Sequence, residues 1–193
     1  MNLHFEELTG IDGARVGIAT LDAEKSLNAL SLPMINALRD RLDAWAREPQ
    51  VVCVLLRGNG AKAFCAGGEV RSLVEACRAT PGEVPPLAGQ FFAAEYRLDF
   101  NLHTYPKPLL CWGHGYVLGG GMGLLQGAST RIVTPSSRLA MPEISIGLYP
   151  GCRRQLVSVA PAGQARSVSW PDRRPHECPG CHRPGPGRPV FAG

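Results

Sequence analysis

The sequence predicts an α/β layered fold, and three observations carry that expectation. Short apolar runs of strand length alternate with longer stretches of helical spacing between Arg15 and Thr134. Two glycine clusters, Ala66-Gly67-Gly68 and Gly119-Gly120-Gly121, stand where such a run gives way to a helical stretch. Strands that feed helices in this way imply right-handed βαβ crossovers. The pattern persists to Pro150 and breaks at Gly151, so residues 1–150 are read as one core and 151–193 as a separate, irregular Pro/Arg-rich tail.

In chain order, Arg15 to Leu21 (RVGIATL) reads as a strand. After a polar turn at Asp22 to Lys25, Leu32 to Arg47 has helical spacing, with Ser31 as N-cap and Pro33 in the first turn. Val51 to Leu56 is a continuous apolar run, expected to be a strand covered on both faces. A loop through Phe64 leads to the first glycine cluster, which opens a helix over Glu69 to Arg78. Pro81 to Pro86 marks a break, and Gly89 to His103 is helical again. Pro108 to Trp112 is a strand, Gly120 to Gln126 a helix and Thr130 to Thr134 a short strand. No internal repeat is visible in the residues themselves.

The net charge of +4 belongs to the tail: residues 151–193 hold seven of the 20 Lys+Arg but only Asp172 and Glu177 of the 16 acids, which leaves 13 minus 14, or −1, for the rest. That balance argues against nucleic-acid or anionic-membrane partners. The N-terminus lacks a basic segment followed by an apolar one, and no run approaches about 18 apolar residues, so a cytoplasmic protein that does not span a membrane is expected. Cys53, Cys65, Cys77 and Cys111 lie in apolar or glycine-rich segments and read as small buried side chains of a reducing compartment.

The chemistry is expected at three places. Gly67 and Gly68 at a strand-to-helix junction let backbone approach a ligand closely, and a free Gly68 N–H would stand near a positive helix end. Gly119, Gly120 and Gly121 repeat that arrangement after the strand ending at Trp112. Two such donors aimed at one oxygen form an oxyanion hole, each donor worth about 3 kcal/mol of barrier. Glu143, set between Leu139-Ala140-Met141 and Ile144-Ser145-Ile146, needs a partner or a function, or else is a capping or surface carboxylate. Glu95 reads equally as a site residue or as part of a solvated helix face. His114 is a polar group near the glycine loop or a satisfied core histidine.

The segments EKSLNALSLPMI, KAFCAGGEVRSL, AAEYRL, HGYVLGGGMGL and RLAMPEISIGLYP, in this order from about residue 5 to Pro150, resemble the crotonase (enoyl-CoA hydratase/isomerase) superfamily, and in particular its 3-hydroxyisobutyryl-CoA hydrolase branch. The resemblance implies a crotonase-type spiral of repeated ββα/βαβ units, here truncated. It implies an acyl-CoA substrate, with coenzyme A present only as part of that substrate and no other cofactor, no metal, and a homo-oligomer as a possible assembly. It places the oxyanion donors at Gly68 and Gly120, CoA contacts near Lys25 and Ala66, with Gly67 and Gly119 beside the substrate, and a substrate-contacting helix glutamate at Glu95. Enoyl-CoA hydratases carry a first glutamate just after the glycine triplet, where this chain has Gly123. The hydrolase branch instead pairs the glutamate of its MPE motif, here Glu143, with an aspartate in a following Asp-Val-Gly-Gly turn.

That aspartate would fall at Gly151, where the chain changes character. With suitable third bases, Pro150-Gly-Cys-Arg-Arg-Gln155 is encoded CCG GGA TGT CGG CGG CAG, and loss of one G gives a reading of Pro-Asp-Val-Gly-Gly-Ser. The tail, with seven of the 17 prolines, is therefore read as out of frame and the chain as lacking one catalytic carboxylate. Cys178-Pro-Gly-Cys181-His182, with His176 nearby, matches a haem-attachment or zinc pattern, but lies in that tail and is expected to hold neither.

Overall fold

The computed structural model describes residues 2–148. Met1 and residues 149–193 lie outside the described residues, and with them the expected break at Gly151, the Pro/Arg-rich tail and its cysteine–histidine cluster.

Strands β1 (Leu3–Thr9), β2 (Arg15–Leu21), β3 (Val51–Gly58), β5 (Leu109–Gly113) and β7 (Thr130–Val133) form one sheet in that spatial order, parallel except for the β1–β2 hairpin. A second, smaller parallel sheet pairs β4 (Ala63–Cys65), β6 (Tyr116–Leu118) and β8 (Arg138–Ala140). The helices are α1 (Leu32–Arg47), α2 (Val70–Ala79), α3 (Pro86–His103) and α4 (Gly120–Gly127), with 3-10 turns at Glu24–Ser26 and Pro142–Ile146.

The chain therefore winds as a spiral. Each turn lays one strand in the large sheet and one in the small sheet, then closes with helix: β3-β4 with α2 and α3, β5-β6 with α4, and β7-β8 with the Pro142–Ile146 turn. This repeat of elements is absent from the residues, because its turns share a path and not a side-chain pattern. The strand at Ala63–Cys65, read as loop, belongs to it, as do β6 and β8, which are three residues each and too short to show alternation.

Helix α1 has the expected bounds, and the Ser31 hydroxyl accepts from the Met34 N–H at 3.4 Å. Its Trp45 ring lies on β2 at Gly17, where a methyl group would come within 2.7 Å of the indole. Met34, Ile35, Leu38, Leu42 and Trp45 face the core, each fully buried large apolar side chain contributing about 1.5–3 kcal/mol. Helix α3 packs between α1 and α4. Strand β3 is not covered on both faces as expected: Val51, Val54 and Leu56 are buried, while Val52 and Arg57 are exposed and Cys53 and Leu55 are half-buried. Among the cysteines, Cys65 and Cys111 are buried, Cys53 is half-buried and Cys77 is exposed, which corrects the expectation that all four are buried. No described helix is long and apolar enough to cross a membrane.

Candidate active site

Adjacent turns of the spiral bring the two glycine clusters together. Gly67 and Gly68 follow β4, and Gly119 and Gly120 follow its neighbour β6. Gly67 and Gly119 have φ of 99° and 49°, in the left-handed region that glycine enters without steric cost. A methyl group on Gly67 would lie 3.4 Å from the Gly120 nitrogen, and one on Gly120 would lie 3.6 Å from the Gly68 nitrogen. The parallel bridge between Leu30 and Gly68 uses the Gly67 carbonyl and the Glu69 N–H, leaving the Gly68 N–H outside that ladder. Gly120 is the first residue of α4, so its N–H has no acceptor within the helix. Two uncommitted backbone donors thus stand side by side at a helix N-terminus, an arrangement suited to an anionic oxygen.

Two carboxylates flank this cradle. Glu143 is 7% exposed and sits in the Pro142–Ile146 turn, its Oε1 3.2 Å from where a methyl group on Gly119 would stand. Its Oε2 is buried with no hydrogen-bond partner among the described residues. Glu95, 4% exposed on α3, places its Oε1 in the space that a side chain on Gly120 would take. Burial lifts its carboxyl from the ordinary 4.5 to about 7, and the Glu143 charge pushes the same way. The solvated-face reading of Glu95 is thereby corrected: its neighbours Phe91, Ala94 and Leu98 are buried and the helix turns this stripe inward.

Two residues of this neighbourhood are not singled out by the sequence analysis. Asp99, one turn after Glu95 and 2% exposed, lies against Gly123, where a methyl group would come within 2.7 Å of its Oδ2. The ring of Phe91 closes on Gly68, 2.7 Å from where a methyl group would stand. Gly127 meets Leu102 in the same manner, so α4 offers a seam of glycines at 120, 123 and 127 to residues 95, 99 and 102 of α3. The i, i+4 spacing of Glu95 and Asp99 within a helix whose other inward positions are apolar was the available clue.

Lys25 stands exposed on the Glu24–Ser26 turn and makes no hydrogen bond or ion pair with the cradle among the described residues. Its turn is nevertheless tied to the site, since the Ala66 N–H donates to the Leu27 carbonyl at 2.9 Å. Asn28 anchors the same loop: its Oδ1 accepts from the Ala23 N–H, and its Nδ2 donates to the Asn59 and Ala63 carbonyls, each at 2.9 Å. His114 has its Nε2 2.8 Å from the Gly60 carbonyl, while its Nδ1 is buried with no hydrogen-bond partner among the described residues, and it lines a hollow with Arg57 and Trp112. No cluster of three or more His, Cys, Asp or Glu among the described residues could hold a metal ion.

Residues 16–157 match the family model described as enoyl-CoA hydratase/isomerase. The chain belongs to this family. Its crotonase-superfamily relatives include the mitochondrial 3-hydroxyisobutyryl-CoA hydrolase of Gallus gallus, 40% identical over 134 residues, which are 69% of this chain and 34% of that protein. Solved crotonase-type structures agree in fold: a carnitinyl-CoA dehydratase from Mycobacterium thermoresistibile, 34% identical with a TM-score of 0.74 over 83% of this chain and 45% of that one, and an enoyl-CoA hydratase from Rhodobacter sphaeroides, 31% identical with a TM-score of 0.75 over 84% and 46%. The chain spans about a third of the length of the curated relatives it matches. A crotonase spiral accounts for the two-sheet winding and for glycine loops that meet from successive turns.

Proposed function

We propose that the site is built for hydrolysis of an acyl-CoA thioester, with 3-hydroxyisobutyryl-CoA of valine breakdown as the substrate. The observation that carries this reading is the buried Glu143 carboxylate, one oxygen unpaired, set beside the Gly67-Gly68 and Gly119-Gly120 cradle. The thioester oxygen takes the Gly68 and Gly120 N–H groups, which stabilise the charge that grows on it as the carbonyl becomes tetrahedral. Glu143 then acts on the carbonyl carbon, either directly as nucleophile or by taking a proton from a water that attacks. The relatives named as hydrolases support this chemistry over hydration.

The competing reading is an enoyl-CoA hydratase or isomerase, which the solved neighbours favour. The first glutamate of the hydratases would stand at position 123, where this chain has glycine and the Asp99 carboxylate occupies the space beside it. A third reading, a non-catalytic fragment, draws on the residue at position 151, which is glycine where the hydrolase branch carries aspartate. Turnover by this chain is accordingly expected to be slow or absent, and a version with the reading frame restored after Pro150 is expected to be fast.

A thiol-release assay on both proteins, with 3-hydroxyisobutyryl-CoA as substrate and crotonyl-CoA as control, tests the reading. Release of CoA from the former alone supports it. Hydration of crotonyl-CoA without thiol release moves the activity to the hydratase class.

A further inference from the structure

We propose that Glu95 is a catalytic residue of this site, the proton donor to the departing thiolate, working with Glu143 as a carboxylate pair across the Gly119–Gly120 peptide. The inference rests on the thioesterase reading above and adds to it a second acid that does not depend on position 151.

Geometry carries it. Glu143 Oε1 lies beside Gly119 and Glu95 Oε1 beside Gly120, so both carboxylates border the one peptide unit that carries the Gly120 N–H. A thioester bonded to the Gly120 N–H lies within reach of both. Glu95 is also fixed: it belongs to the middle of an 18-residue helix, and its oxygen fills a space that any side chain at position 120 would take. A carboxyl sealed against backbone and apolar neighbours has little to gain from ionising. Its protonation near neutral pH follows from the same burial.

The groups facing Glu95 are consistent with a lone proton carrier. Cys65 of β4 is buried, and burial together with the Glu95 and Asp99 carboxylates pushes its thiol up to about 12, so it stays neutral. Asp99 lies one turn along α3, against Gly123, and Glu143 faces Glu95 from the Pro142–Ile146 turn.

The steps balance. Glu143 takes one proton from water as the hydroxide oxygen adds to the thioester carbon. The tetrahedral adduct collapses, the carbon–sulfur bond breaks, and Glu95 gives its proton to sulfur, so that CoA leaves as the thiol. The new carboxylic acid loses its proton to solvent, and the proton on Glu143 passes to Glu95. The pair returns to its starting state with one water consumed and no co-reactant.

The test is single-turnover release of CoA thiol from 3-hydroxyisobutyryl-CoA, as a function of pH, by an excess of the protein with its reading frame restored after Pro150, which serves as the wild-type background for the variants. The wild-type rate is expected to fall as pH rises through about 7, where Glu95 loses its proton. Glu95→Gln keeps the shape but has no proton to give; it is expected to lose about 100-fold or more in rate and to lose the alkaline fall, with CoA binding unchanged. A Glu95→Gln protein that keeps the wild-type rate within threefold and the same pH profile overturns the proposal. Frame-restored protein that binds CoA but releases no thiol at any pH overturns the thioesterase reading and this inference with it. If Glu95→Gln does not fold, a carbon-13 carboxyl titration of the wild type and of Glu143→Gln decides. Titration of Glu95 near 7 in wild type, falling when the Glu143 charge is removed, supports the pair; titration in the ordinary carboxylate range in both overturns it.

Discussion

The two carboxylates of the site are held in opposite ways. Glu95 rides in the middle of α3, wedged against the α4 glycines on one side and backed by buried Phe91, Ala94 and Leu98. Glu143 is carried by a five-residue 3-10 turn whose other residues are open to solvent, Ile144 being 82% exposed. The turn is tied by the Leu148 N–H to the Glu143 carbonyl at 3.0 Å and by β8 pairing with β6. One half of the site is fixed by helix packing and the other by a short local turn. The contrast shows that the lightly held carboxylate and its rigid counterpart answer to different parts of the chain.

Removing the charge of the lightly held partner should have the largest effect. Glu143→Gln is expected to lower single-turnover thiol release by about 1,000-fold or more while leaving CoA binding within a fewfold, because the amide keeps the volume and loses the base or nucleophile. Equal losses in binding and rate would show that Glu143 is structural and that the two halves do not differ in kind.

On the rigid side the expected damage is to stability as well. Gly120→Ala drives a methyl group into the Glu95 carboxylate and should cost about 1–3 kcal/mol in a denaturant titration, with loss of alignment of the Gly120 N–H. Gly123→Glu should cost at least as much and should not confer hydration of crotonyl-CoA, since Asp99 holds that space.

The pH dependence sharpens the comparison further. The Glu95 carboxyl is raised from 4.5 to about 7, so the folded state binds more protons than the unfolded state between these values. Stability associated with this group is present in full below 4.5 and is lost as pH rises through 7, a difference of about 3 kcal/mol as an upper bound. Glu95→Gln should therefore flatten the decline in thermal midpoint between pH 5 and 8. An unchanged slope would place the burden elsewhere. By contrast Ile144→Ser, in the exposed turn, should change stability by no more than about 0.5 kcal/mol.

Most of the large sheet and every helix were legible, because their apolar periods run long enough to be read. Helix α1 announces itself with Ser31 and Pro33 at its start, and β2 with seven residues of strand character. The short strands β4, β6 and β8 were not legible, since three residues carry no period and their pairing is decided by the winding of distant segments. Strand β1 was missed because its residues are mostly exposed and polar, held by hairpin pairing to β2 and not by burial. The glycine loops and Glu143 could be singled out from composition and resemblance. The inward turn of Glu95 and Asp99 could not, because a carboxylate on a helix reads as solvated until the partner helix is known to present glycine to it. Lys25 was placed beside the substrate by resemblance alone, and the structure leaves its side chain at the surface.

The α3–α4 seam also bears on how such chains can diverge. Positions 95 and 120, 99 and 123, and 102 and 127 meet as three couples with no spare volume between them. A larger residue on either helix can be accepted only if its opposite number shrinks, so these couples should drift together among descendants of this sequence and seldom one at a time. The first couple touches the glycine cradle, so on the proposed function its freedom to drift is limited by chemistry. The third, Leu102 with Gly127, touches only packing and is the place where such paired exchange should begin.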